Sequence, residues 1–142
     1  MKKINHFING KEYISKSDRF GDIFNPASGE KIGSVSFANK DDVALAIQNA
    51  SDAQKKWAAT PPLARSRVMF KFKELILRDM DKLALELTNE HGKILSDSVG
   101  SLTRGMEVVE FACGIPHLLK GEFSENVGTE IDSWSTRQPL GV

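Results

Sequence analysis

The feature that most constrains this chain is a change of hydrophobic period at Lys40. Before it, apolar residues come in short runs separated by turn signals; after it, they recur at helical spacing through most of the remaining sequence. Period two places alternate side chains on opposite faces of a strand, and period 3.6 stacks every third and fourth side chain on one face of a helix. The chain must therefore be a mixed α/β polypeptide, with strands first and helices after them.

Within the first part, His6-Phe7-Ile8 and Glu12-Tyr13-Ile14 flank Asn9-Gly10-Lys11. Asn-Gly is a strong hairpin signal because both central positions of the tight turn need positive φ. A second strand pair is predicted from Asp22-Ile23-Phe24 and Ile32-Gly33-Ser34-Val35, joined through Asn25-Pro26-Ala27-Ser28-Gly29. From Asn39, an N-cap residue with Asp42 at the third position, the stripe Val43, Ala46, Ile47, Ala50, Ala53 and Trp57 predicts an amphipathic helix. Thr60-Pro61-Pro62 restarts a helix with the stripe Val68, Phe72, Leu75 and Ile76; Leu83, Ala84 and Leu87 continue or follow it after a kink, and Gly92 caps its end. These stripes are expected to form the core. A further helix is predicted from about Asp97 to Ile115, with Pro116 ending it or beginning its last turn. β-structure returns at Ile131 to Ser135 and Arg137 to Val142, after a turn-like Glu125-Asn126-Val127-Gly128.

Composition removes several classes of function. Lysine plus arginine equals aspartate plus glutamate, 19 each, which gives no electrostatic reason for nucleic acid or an anionic membrane as partner. A single cysteine, Cys113, excludes an internal disulfide and a cysteine-based zinc site. No apolar run long enough for a secretory signal or a membrane span follows Lys2 and Lys3, so a soluble cytoplasmic protein is expected. The segment Trp134 to Val142 turns apolar and stops as a strand begins, which reads as an interrupted chain.

The predicted last long helix carries two apolar seams. Val99, Leu102, Met106, Val109 and Cys113 are spaced three, four, three and four residues apart; Val108, Phe111 and Ile115 form the second seam, headed by Arg104. A helix apolar on two sides is expected to lie buried between layers. Gly100, Gly105 and Gly114 each cost about 1 kcal/mol against alanine, and close approach of a neighbour or ligand is the expected compensation. A buried guanidinium needs an anion. Glu107, one turn along, or an acid on another element would supply it structurally; a substrate carboxylate, gripped in a bidentate way, would supply it functionally. Spacing leaves both open.

Short motifs stand in order along the chain: Phe7 to Lys11 (FINGK), Asn25 to Gly29 (NPASG), Trp57 with Arg65 to Phe70 (RSRVMF), Glu90 to Lys93 (EHGK), Arg104 to Glu107 (RGME), Val109 to Cys113 (VEFAC) and Arg137 to Val142 (RQPLGV). Through them the whole chain resembles the aldehyde dehydrogenase superfamily, and within it the CoA-acylating methylmalonate-semialdehyde dehydrogenases. The branch assignment leans on Arg104-Gly105, on Val109 to Gly114 with Pro116, and on Leu118 to Glu122 (LLKGE).

The resemblance implies the amino-terminal part of that fold: N-terminal β-hairpins over residues 1–39, three or four amphipathic helices of the cofactor-binding domain over 40–120, and a β-arm of the oligomerisation element over 121–142. It implies that Arg104 holds the carboxylate of the semialdehyde. It also implies a chemistry in which a cysteine thiolate attacks the aldehyde and the thiohemiacetal delivers hydride to NAD. Coenzyme A, rather than water, then takes the thioester as the carboxylate leaves as carbon dioxide, giving acetyl-CoA from malonate semialdehyde or propionyl-CoA from methylmalonate semialdehyde. The intact enzyme would form dimers and tetramers through the arm. The nucleophilic cysteine, its asparagine partner and the cofactor loops would follow the RQPLGV segment, so this chain alone is expected to be inactive, with no catalytic, cofactor-binding or metal residues of its own. An aldehyde dehydrogenase using water as acceptor and a non-catalytic assembly module pairing through its terminal strands are the alternatives.

The remaining polar residues carry weaker signals. Cys113 lies on a helical seam and reads as a small core residue, outside any nucleophile motif. His6, His91 and His117 lack metal-ligand spacing. Lys93 follows a helix end, where a cation suits the dipole. Glu107 and Glu110 are three apart, a spacing open to acid–base work but commoner in salt bridges. Gly100 to Gly105 lacks the Lys-Ser/Thr ending of a phosphate loop.

Overall fold

The computed structural model describes residues 2–142. Its amino-terminal part holds five short strands: β1 (Lys2–Ile4), β2 (His6–Ile8), β3 (Lys11–Tyr13), β4 (Phe20–Phe24) and β5 (Lys31–Ser36). β2 and β3 form the expected antiparallel hairpin, pairing His6 with Tyr13 and Ile8 with Lys11. Its turn takes positive φ at Asn9 (55°) and Gly10 (73°), the conformation that Asn-Gly tolerates. β4 and β5 form the expected second antiparallel pair, closed by Asn25 to Glu30. The sequence reading missed β1, which adds in parallel to the free edge of β5 and makes the sheet order β1-β5-β4. Gly33 permits that addition: a Cβ there would lie 2.6 Å from the Lys2 carbonyl oxygen.

Helices follow in one run: α1 (Lys40–Ala59), α2 (Pro62–Arg78), α3 (Met80–His91), α4 (Leu95–Cys113) and the single turn α5 (Ile115–Leu118). α1 starts at a complete capping box, in which Asn39 Oδ1 accepts from the Asp42 N–H while Asp42 Oδ2 accepts from the Asn39 N–H. Pro62 opens α2 where its missing N–H costs nothing. The kink expected near Leu83 falls at Asp79, where α2 gives way to α3. Gly92 ends α3 with a φ of 82°, and a Cβ on it would sit 3.0 Å from Pro26 Cγ, so the cap also lets the β4–β5 turn pack close. Pro116 belongs to α5, the second of its two expected roles.

The core lies where α2 and α3 pack on α4. Ser66 of α2, Ala84 of α3, and Ser98, Met106 and Cys113 of α4 are its most buried residues. Small side chains let the helices approach, and their hydroxyls find partners: Ser66 Oγ donates to the Cys113 carbonyl at 2.6 Å, and Thr88 and Ser98 share a 2.8 Å hydrogen bond. Lys73 bridges to Glu110 across the same interface at 2.6 Å, so Glu110 serves as a salt-bridge partner.

Several expectations are corrected. The stripes of α1 and α2 are not core: Val43, Ile47, Trp57, Val68 and Phe72 are exposed, because no layer within these residues covers them. The second seam of α4 is likewise open, with Val108 67% and Phe111 68% exposed. Arg137 to Val142 form no strand. The turn-like Glu125 to Gly128 fall inside β6 (Phe123–Gly128), which pairs antiparallel with β7 (Ile131–Trp134) across a register shift. Asn126 has a φ of 52° there, and its N–H bonds the Asp132 side chain instead of the ladder. That hairpin is exposed along both strands. Among the described residues no helix is long and apolar enough to cross a membrane.

Candidate functional site

Two residues separate the α3 cap from α4, so Lys93 and Ile94 form a short corner that brings Lys93 over the first turns of α4. Asp97, Ser101 and Arg104 follow at spacings of four and three, which puts them on one side of the helix. Lys93 Nζ lies 2.9 Å from Asp97 Oδ2 and donates to Ser101 Oγ at 2.5 Å. Arg104 Nη2 donates to the same Ser101 oxygen at 3.2 Å. The hydrogen bond and charge of Lys93 hold the Asp97 carboxyl below the usual carboxylate range, with smaller contributions from Arg104 and His91.

Arg104 itself is exposed, which corrects the expectation of a buried guanidinium. The reason is the one given for the second seam: Val108 and Phe111, at four and seven residues from it, face no covering layer within these residues. The structural alternative, an internal anion, is not found among the described residues. Among the described residues Arg104 forms no ion pair, and Glu107, one turn along, does not reach it. Gly105 beside it opens onto space, with nothing within 4 Å of where a Cβ would stand. The arrangement thus presents a guanidinium fork that pairs with no acid among the described residues and leans over Gly100 and Ser101, on the side of α4 that further along carries the open apolar strip. Such a fork can take a carboxylate in a bidentate way.

Other residues singled out from sequence lie elsewhere. Cys113 is 7% exposed at the carboxyl end of α4, in the α2–α4 interface, as a core residue should be. Among the described residues no three of His, Cys, Asp and Glu gather as a metal site would require. Sequence reasoning missed two polar connections. One is the link from Lys93 to Arg104 through Ser101, which the Lys-to-Asp spacing of four between positions 93 and 97 hinted at. The other is Asp42, read only as a capping residue. Its carboxylate also accepts from the hydroxyls of Tyr13, at 3.0 Å, and Ser15, and so ties the first hairpin to α1. The Ser15 hydroxyl and then the Asn39 N–H hold the Asp42 carboxyl below its usual range, while the bond to Asp42 raises the Tyr13 phenol.

Known proteins place this architecture. The sequence is 43% identical, over all 142 residues, to a malonate-semialdehyde dehydrogenase of Pseudomonas aeruginosa, and it spans 28% of that protein. It is 43% identical over 140 residues to an acylating methylmalonate-semialdehyde dehydrogenase of Arabidopsis thaliana, covering 99% of this chain and 23% of the other. Among solved structures, a methylmalonate-semialdehyde dehydrogenase from Oceanimonas doudoroffii superposes with a TM-score of 0.93 at 48% identity, covering 99% of this chain and 28% of that one. A protein assigned to the same activity from Sinorhizobium meliloti, solved with NAD, gives 0.95 at 49%, again over 99% of this chain and 29% of the other. The aldehyde dehydrogenase family model matches residues 13–142, and the chain belongs to that family.

Proposed function

We propose that this chain is the amino-terminal portion of an NAD-dependent, CoA-acylating methylmalonate- or malonate-semialdehyde dehydrogenase, and that Arg104 is the ligand of the substrate carboxylate. The observation that carries the reading is an arginine with no acid partner beside an open apolar strip, in a chain similar from end to end to dehydrogenases named for carboxylated aldehydes. The semialdehydes in those names pair a carboxylate with a short carbon chain. A guanidinium that pairs with no acid among the described residues suits the first of these.

The residues present do not fit NAD. A dinucleotide cradle needs a strand that opens onto a helix N-terminus with free N–H groups. Here β5 leads to α1, but that N-terminus carries its own carboxylates, Asp41 and Asp42, and Asp42 closes the capping box. NAD and coenzyme A therefore belong, in this reading, to the complete enzyme, and this segment contributes carboxylate recognition. The exposed β6–β7 hairpin offers unpaired backbone to a second subunit and supports assembly into a homo-oligomer through this arm.

The reading is tested in a hybrid in which these 142 residues replace the matching 28% of the Pseudomonas aeruginosa relative. With malonate semialdehyde, NAD and coenzyme A, the hybrid is expected to form NADH and acetyl-CoA, and the isolated chain neither. Arg104→Leu is expected to reduce kcat/KM for the semialdehyde by about 100-fold or more and to spare propanal, since charged hydrogen-bond partners contribute roughly 1.5–3 kcal/mol each. Equal turnover of malonate semialdehyde by hybrid and variant would remove Arg104 from the site.

A further inference from the structure

The guanidinium of Arg104 is tied on one edge to a neutral oxygen, and that oxygen is itself fixed. Ser101 Oγ accepts from Lys93 Nζ at 2.5 Å and from Arg104 Nη2 at 3.2 Å. A hydroxyl oxygen offers two lone pairs, so two cationic donors fill both and the serine proton must point elsewhere. Lys93 is the anchor of this chain of contacts. Its side chain is only 17% exposed, and Asp97 holds its ammonium at 2.9 Å, so it cannot turn to solvent without breaking two bonds.

The division of labour among the charges follows from this. The Asp97 carboxylate is committed to Lys93, and Arg104 is left with a hydroxyl where a carboxylate would have neutralised it. A neutral acceptor orders a guanidinium without cancelling the charge that a ligand must meet. The side chain lies back over Gly100, where an added Cβ would stand 3.6 Å from Arg104 Nη1, as long helical side chains do when they lean toward the N-terminus. One nitrogen is thereby used for orientation, and the rest of the fork stays open.

We infer that Ser101, held in place by Lys93, is a positioning residue that fixes the Arg104 guanidinium for a carboxylate and so sets the preference for a carboxylated aldehyde. This rests on the reading of Arg104 as the substrate ligand. Pre-ordering matters because a free arginine side chain gives up much rotamer freedom each time it grips a ligand. Threonine at the same place keeps the acceptor oxygen; alanine removes it.

Two measurements separate this inference from the reading beneath it. On the full 142-residue chain, nitrogen relaxation of the arginine Nε–Hε groups is expected to show Arg104 ordered, to show it as mobile as the exposed Arg67 after Ser101→Ala, and to show order restored in Ser101→Thr. An Arg104 signal that is equally mobile in all three overturns the inference. In the hybrid enzyme, Ser101→Ala is expected to raise KM for malonate semialdehyde about five- to tenfold, with kcat within about twofold and propanal oxidation unchanged, and Ser101→Thr to recover the parent KM. If Arg104→Leu abolishes the preference for the carboxylated aldehyde while Ser101→Ala leaves it intact, the positioning role falls and the ligand role stands. If Arg104→Leu changes nothing, the ligand role falls, and ordering by Ser101 is then a structural contact without a substrate.

Discussion

Two sides of one helix have opposite fates. Along α4, Met106 and Cys113 sit 8% and 7% exposed, while Val108 and Phe111, on the same rod at the same helical spacing, are 67% and 68% exposed. The two seams are of similar hydrophobicity, so apolar character alone does not separate them. What separates them is what faces them. The inner side meets Ser66 of α2 and Ala84 of α3, small enough for close approach. The outer side meets nothing within these residues, and Arg104 and Gly105 share it. Hydrophobic period identifies faces of a helix, and the residues opposite decide which face closes.

The comparison breaks most readily from the inside. Ser98 is fully buried and hydrogen-bonded to Thr88. Ser98→Leu forces extra carbons between α3 and α4 and removes that bond, and is expected to cost about 3 kcal/mol. Urea unfolding followed by far-UV circular dichroism checks it; an unchanged midpoint would mean that the inner seam is not the core. Met106→Ala comes next, at about 2 kcal/mol, since it empties part of the same interface without adding strain.

A third test moves to the amino-terminal side, where a polar contact stands in for the apolar seam. Asp42→Ala removes the acceptor for Tyr13, Ser15 and the Asn39 N–H, and is expected to lower Tm by roughly 5 °C. The folded carboxyl titrates below its ordinary value, so its contribution is whole above the unfolded value of about 3.9 and is lost as pH falls through the lower folded one. The Tm gap between parent and variant should stay level from pH 7 to about pH 5 and close below about pH 4. A gap that persisted at lower pH would assign the latch to something other than the ionised carboxylate.

The legible part of this fold is the part written in local signals. Asn9-Gly10, the Asn25 to Gly29 turn, the Asn39–Asp42 cap, Pro62 and Gly92 all do what their chemistry demands within a few residues of themselves. Less legible was whatever depends on a distant partner. The parallel addition of β1 to β5 joins residues about thirty apart and leaves no periodic trace. The exposure of Arg104 followed from a missing layer, which spacing along α4 cannot register. The strand expected over Arg137 to Val142 failed for the same reason, since extended residues need a neighbour to pair with. At the proposed site, Arg104 stands out in the sequence by its place on an apolar side of the helix, whereas a serine on a helix carries no pattern of its own, so Ser101 does not.

The smallest effect is the sharpest test of the contrast. Phe111→Ser and Val108→Ser each remove a large apolar group from the outer side, where it touches solvent more than protein. A substitution away from packed contacts typically changes stability by no more than about 0.5 kcal/mol, and serine has about the same helix propensity as either residue. The urea midpoint of both variants should therefore stay close to that of the parent. Light scattering at matched concentration is expected to show less association for both variants than for the parent, since exposed contiguous apolar surface favours association in water. A loss above about 1.5 kcal/mol from Phe111→Ser would place it in a packed contact, by the same reasoning that assigns Met106 to the core. The two seams would then be alike, and the open strip beside Arg104 would have to be redrawn as interior.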